Sequence, residues 1–467
     1  MKREIQEYPN DWILWSILHN ASMSRDGTPG EYQKLLGMVP HFRDVLHSLV
    51  RQGEPGVIFL KLIDEYMINS ITAHEQGKKA ALTSFCVATP ILYAFDVVPL
   101  SLEVMTVIST LVLRRGTSDF LDYCCELGFT ETSCSAQRGS LGAYLAGIAY
   151  RPDMVVCDSP GICDTNANSF AFAAAYMDLP FYHLSYPPTL TDDRSRAYEL
   201  ADFRNFISFL EGQTGTSLDE DRLREVVNEC RVQDELSCEL MELQRIVPSP
   251  VPGIYDVMLY GGKFMMSGRR IYSDLLRSML DKAKENASLG RAGTVTTRER
   301  ARGLFCYIDH FTTDFRFWNW MDEQEITHLG SLLFTFWQGG APYAWGREDE
   351  AYSFGENDLD SMLVSLSGQM SRMPMVKQIR GPYDAPHMCL DDTLGVARLF
   401  KPDFVAYLGT MGCRNTWGMV KLLARDMEKQ GYPFLILYGD AFDDRVASWE
   451  AIQDKMDEFM KLRRILR

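Results

Sequence analysis

Three cysteines, Cys134, Cys163 and Cys413, stand in small-residue turns that lead into helical sequence. A thiolate is a soft donor. Three of them brought together suit a tetrahedral soft metal, or an iron–sulfur cluster with one iron left open. The competing reading is three separate thiols buried for packing. A helix N-terminus favours a thiolate by only about 0.3–1 kcal/mol, under about one pKa unit. From a starting value near ~8.5 the dipole alone leaves mostly thiol at neutral pH, so full deprotonation calls for a metal.

Two of the three occupy equivalent places. Asp153 precedes Cys163 by ten residues, and Asp403 precedes Cys413 by ten. Both aspartates follow a proline, Pro152 and Pro402, and both cysteines are followed by helical sequence and then a Pro-Phe, Pro180-Phe181 and Pro433-Phe434. Within Lys401–Asp444 the run FVAYLG reads as a buried strand, Trp417–Gln430 as a helix and FLILYGD as a returning strand. Such a βαβ unit is parallel and right-handed, and ligands bind at the carboxyl ends of its strands.

These units predict an α/β protein with two Rossmann-like, flavodoxin-like parallel-sheet domains. The expected divisions are a helical N-terminal layer over 1–80 and a first α/β domain over 81–247 carrying Cys134 and Cys163. A helical linker over 248–303 and a second α/β domain over 304–467 carrying Cys413 complete the chain. The spacing predicts helices over Tyr32–Val50, Pro55–Glu75, Ile91–Phe95 and Val446–Arg467, with Ser217 and Glu220 as a helix-start pair. The polar, basic stretch 290–303 reads as a surface linker, and LFCYIDHF over 304–311 as a strand. The aromatic run Phe311–Trp320 is expected to precede a helix, and the loop-like stretch 343–362 to shape a pocket.

Composition sets limits. The 467 residues are 46% hydrophobic with a formal charge of −16. This is a globular composition, and the charge argues against nucleic acid as a partner. The start MKREIQEYPNDW does not read as a signal peptide, and Val97–Leu113, the most apolar stretch, is interrupted by Pro99 and Glu103. A cytoplasmic location is expected, with eleven cysteines serving as thiols or ligands and not as disulfides. No GxxxxGK[ST], GxGxxG or CxxC pattern occurs, so no nucleotide is expected through those devices. The adjacent Cys124 and Cys125, and Cys230 and Cys238 on one helix face, read as structural.

The segments GKKAALTSFCVATPILYAFDVVPLSLE, TSCSAQRG, PDMVVCDSPGIC and MGCRNTWG…GYPFLILYGDAFDDR resemble the 2-hydroxyacyl-CoA dehydratase and benzoyl-CoA reductase superfamily. The resemblance covers roughly 77–190 and 385–465. It implies a 4Fe–4S cluster held by Cys134, Cys163 and Cys413 with one open iron site. It also implies a homologous second subunit or a second copy, an acyl-CoA substrate, and an ATP-hydrolysing iron–sulfur activator that delivers single electrons. The implied reaction is radical dehydration of a 2-hydroxyacyl-CoA. An aromatic acyl-CoA reductase, towards which the Phe95-Asp96 pair leans, and a non-catalytic electron-transfer subunit are the alternatives. A larger cluster would recruit Cys157 or Cys389. Ser84 matches a small hydroxyl residue that can approach the open iron, and a turn serine is the plainer reading. Pro90 stands where the family often has a glutamate. Asp440, Asp443 and Arg445 match the terminal motif, as an ion pair or a substrate contact.

Overall fold

A computed structural model describes residues 7–23, 39, 42–114, 116–306, 314–332, 352–409, 412–440 and 442–466. Eight strands form two four-stranded sheets in the order β2-β1-β3-β4 and β6-β5-β7-β8. The first holds β1 (Ala80–Thr83), β2 (Val98–Ser101), β3 (Met154–Asp158) and β4 (Phe181–Leu184). The second holds β5 (Ala301–Phe305), β6 (Ile326–Ser331), β7 (Phe404–Gly409) and β8 (Phe434–Tyr438). Every pairing is parallel. The central strands are buried on both faces, which is why they read as continuous apolar runs.

The two sheets share one strand order, and the repeated sequence features hold equivalent bonds. Asp153 accepts a hydrogen bond from the Ala80 amide at 2.8 Å, and its own amide donates to the Ala80 carbonyl at 2.8 Å. Asp403 does the same with Arg302, at 3.0 and 2.8 Å. The Val155 amide donates to the Pro180 carbonyl at 2.9 Å, and the Val405 amide to the Pro433 carbonyl at 2.9 Å. The Pro-Asp pair thus locks the start of one strand onto its neighbour, and the later proline, with no N–H to lose, starts the next strand.

Helices Pro9–Ser22, Phe42–Val50 and Glu54–Thr72 form the N-terminal layer. In sequence, between β4 and β5, come the helices Asp193–Thr214, Glu220–Leu243, Tyr255–Met266 and Arg270–Ser288. Asp219, not Ser217, caps the second of these, accepting the Asp221 and Arg222 amides. A carboxylate satisfies free helix N–H groups and opposes the dipole.

The stretch 290–303 is only partly a surface linker. β5 begins at Ala301, and Arg302 is 4% exposed within it. Its guanidinium donates to the carbonyls of Gln244, Ile246 and Phe400 and to the Glu299 carboxylate. A charge so fully paired can sit in a buried strand, and a basic pattern then hides the strand from a sequence reading. Of the aromatic run, the residues from Phe315 on are already helical, within Phe315–Glu323, capped by Asp314. The expected helix at 417–430 is two, Arg414–Trp417 and Val420–Lys429, and the terminal helix is Trp449–Leu462. Residues 32–38, 40–41, 307–313, 343–351 and 467 of the predicted elements lie outside the described residues.

Candidate functional site

β2 and β3 flank β1 on opposite sides, so the direction of winding reverses between β1 and β3. The same holds between β5 and β7. Ligand crevices in open parallel sheets form at such switch points, beyond the carboxyl ends of the strands. Ser84 follows β1, Cys163 follows β3 and Cys413 follows β7, so topology alone carries these side chains to crevice positions.

Cys163 caps the helix Asp164–Met177, its sulfur accepting the Asn166 amide at 3.5 Å. Cys413 is 8% exposed, and the Thr416 hydroxyl donates to its sulfur at 3.1 Å. Cys134 stands at the N-cap position of the helix Ser135–Leu145, its side chain making no capping bond. That helix lies tightly against Gly116–Glu126, because a Cβ at Gly142 would stand 2.4 Å from the Phe120 carbonyl oxygen. The turn of Cys413 touches the turn of Cys134: a Cβ at Gly412 would meet the Cys134 Cα and the Ser133 carbonyl at 3.1 Å.

Electrostatics tie the three sulfurs together. Burial raises the Cys134 thiol pKa, and the charge of Cys413 raises it further. Burial raises that of Cys163, followed by the charge of Asp158, with Cys134 and Cys413 adding to it. Protons therefore stay on these two thiols until a cation replaces them. Among the described residues, no three Cys, His, Asp or Glu side chains are close enough to hold a single metal ion. A mononuclear site needs all its sulfurs within about 2.3 Å of one centre. A cluster with its ligands on different irons takes a wider triangle. The all-sulfur donor set is the kind that such a cluster takes.

Ser84 is fully buried. Its hydroxyl donates to Asp158 and accepts the Cys86 amide at 3.3 Å. Asp158 also accepts Asn166 Nδ2 at 3.0 Å, which links the Ser84 turn to the Cys163 turn. Cys157 is buried in the core packing of the first sheet and its thiol donates to Asp158, while Cys389 is half-buried beside the core of the second sheet. Pro90 opens the helix Pro90–Ala94, where its missing N–H costs nothing. Asp96 pairs with Arg222 at 2.9 Å and Lys78 at 3.3 Å, a structural use of the Phe-Asp pair. Arg445 forks onto Asp443 and reaches Asp122 at 2.9 Å, so the terminal motif forms an ion-pair network. Cys124, Cys230 and Cys238 are buried, and none of the eleven cysteines forms a disulfide.

Two buried carboxyls stood outside the sequence reading of the site. Asp158 ends β3, and Glu103 lies in the first turn of the helix Leu102–Leu113, 3% exposed. The signal for Glu103 was present, as the lone acid in the most apolar stretch of the chain.

No helix among the described residues is long and apolar enough to cross a membrane. No curated protein matches the chain. The family model described as 2-hydroxyglutaryl-CoA dehydratase, D-component, matches residues 85–461, a span that holds both sheets beyond β1 and all three cysteines of the crevice turns. On that match the chain belongs to the 2-hydroxyglutaryl-CoA dehydratase D-component family, which makes it a subunit of the 2-hydroxyacyl-CoA dehydratase type.

Proposed function

We propose that this chain is the iron–sulfur subunit of a radical 2-hydroxyacyl-CoA dehydratase, holding a 4Fe–4S cluster through Cys134, Cys163 and Cys413. The observation that carries the reading is that three thiols from separate turns lie close enough to sense one another: the charge of Cys413 raises the Cys134 thiol, and the charges of Cys134 and Cys413 raise the Cys163 thiol. When bound, such a cluster supplies an electron-transfer centre and, at an open iron, a Lewis acid. The chain's own residues hold and shield it. The Asn166 amide and the Thr416 hydroxyl donate to two of the sulfurs, and hydrogen bonds of this kind tune a cluster's potential. Ser84, fixed by Asp158, places a hydroxyl at the carboxyl end of β1, where it can orient the substrate oxygen.

A D-component works with a partner component, and we assign to that assembly a homologous subunit, the acyl-CoA substrate and an ATP-hydrolysing iron–sulfur activator. Eleven cysteines without a disulfide suit a reducing cytoplasm. The test is anaerobic purification with iron and sulfide analysis, followed by assay with partner components on a panel of CoA esters. Iron with sulfide and release of water from a 2-hydroxyacyl ester supports the reading. Zinc without sulfide, or ring reduction of an aromatic ester without water release, overturns it.

A further inference from the structure

The hydrogen bond on the Cys413 sulfur differs in kind from the one on Cys163. Cys163 accepts the Asn166 amide, whose direction the helix fixes. Cys413 accepts the Thr416 hydroxyl at 3.1 Å, and a hydroxyl turns about its C–O bond. In a helical turn a threonine commonly gives that proton to a carbonyl three or four residues back. A second hydroxyl stands where it can aim the first. Tyr407 Oη lies 2.5 Å from Thr416 Oγ1, and both residues are buried. A sulfur that holds a metal carries no proton. Thr416 then gives its one hydrogen to the sulfur, so Tyr407 must be the donor to Thr416 Oγ1. The order is Tyr407 to Thr416, and Thr416 to Cys413.

The strand is built to let the phenol reach this turn. Tyr407 packs with Val405 in the core of the second sheet. A phenylalanine would fill the same place without a buried hydroxyl to satisfy. The Tyr407 ring leans along β7 over Gly409, where a Cβ would collide with Tyr407 Cε1, Cζ and Oη. The absent side chain at Gly409 is the space through which the hydroxyl arrives. Trp417, the neighbour of Thr416, packs against the ring with centroids 5.6 Å apart.

We propose that Tyr407 is a positioning residue that holds the Thr416 hydroxyl on the Cys413 sulfur and thereby raises the reduction potential of the centre bound there. An added electron increases the negative charge on the ligating sulfurs, and a donor stabilises the more negative state more strongly. The aimed hydroxyl therefore makes the centre easier to reduce. This inference rests on the cluster reading for the centre that is tuned, whereas the Tyr407–Thr416 bond belongs to the chain without metal.

The test is a double-variant cycle on the full chain with Tyr407→Phe, Thr416→Val and the pair. It is read by urea midpoint without metal, and by redox titration of the anaerobically loaded chain followed by electron paramagnetic resonance. Thr416→Val is expected to shift the one-electron equilibrium at least about threefold toward the oxidised form. Tyr407→Phe is expected to shift it in the same direction, and to add nothing in the Thr416→Val background. Thr416→Ser, which keeps the hydroxyl, should keep the wild-type potential. An unchanged potential in Tyr407→Phe overturns the proposal, as does a Tyr407→Phe shift that persists in the Thr416→Val background. Should Thr416→Val fail to take up iron, Tyr407→Phe against wild type still decides the matter. A wild type without iron and sulfide overturns the cluster reading and the tuning with it, even where the urea midpoints of the two sites are coupled.

Discussion

The Ser135 hydroxyl donates to the Asp440 carboxylate at 2.5 Å, across 305 residues of sequence. Asp440 also accepts the amides of Phe442 and Asp443 at 3.0 and 3.2 Å, and Thr117 Oγ1 donates to the Phe442 carbonyl at 3.1 Å. The residue after Cys134 is thereby tied to the turn beyond β8 of the other sheet. The terminal GDAFDDR motif works here as a clasp between the two sheets at the level of the thiols.

Cutting the clasp should loosen the thiol site before it unfolds the protein. Ser135→Ala removes one bond to a charged acceptor, worth about 1.5–3 kcal/mol. The expected outcome is a lower denaturant midpoint and faster loss of iron to a chelator, with far-ultraviolet circular dichroism unchanged. Unchanged chelation kinetics would show that the clasp does not hold the site.

If the chain holds the proposed cluster, Cys413→Ala is expected to abolish its visible absorption and to lower bound iron by one cluster per chain. Its cost to the apo fold should be small, about 1 kcal/mol, since only a sulfur is lost. Cys238→Ala, on a helix away from the crevice, is the matched control and should keep its iron. Iron retained in full in Cys413→Ala would remove Cys413 from the ligand set.

Asp11 provides a pH signature remote from the thiols. It is 1% exposed and accepts the Tyr150 amide at 2.7 Å, and burial pushes it up to about 6 from 3.8. A folded-state value above the unfolded one means that the native state binds the proton more tightly. The stabilisation from Asp11 is therefore complete below about pH 4 and is lost as pH rises through about 6. Asp11→Asn should flatten this contribution, so that variant minus wild type grows more favourable between pH 4 and 6. Urea midpoints across that range decide it, and parallel curves would refute the assignment.

Gly142→Ala should push the helix that carries Cys134 away from its neighbour. The added Cβ meets the Phe120 carbonyl oxygen at 2.4 Å and its Cα at 2.7 Å, and neither backbone atom can yield cheaply. A loss of about 1–3 kcal/mol is expected, read as a fall in Tm. An unchanged Tm would mean that the two helices part without cost.

What the sequence by itself determined is the local grammar. Apolar runs bounded by Gly and Pro marked β3, β4, β7 and β8, and the Pro-Asp to cysteine spacing revealed that two units are built alike. These signals are legible because they depend on neighbours along the chain. Tertiary structure decided the rest. Arg302 occupies a buried strand because carbonyls from Gln244, Ile246 and Phe400 surround it, and none of these is near it in sequence. Glu103 could be seen as an oddity in an apolar stretch, but only the fold places it beside Phe85 and Asp158. Asp440 looked like part of a motif at a strand end, and only the fold reveals Ser135 as its partner. Spacing shows which residues are alike, whereas the charge and hydrogen-bond partners that define a buried group's chemistry come from distant segments.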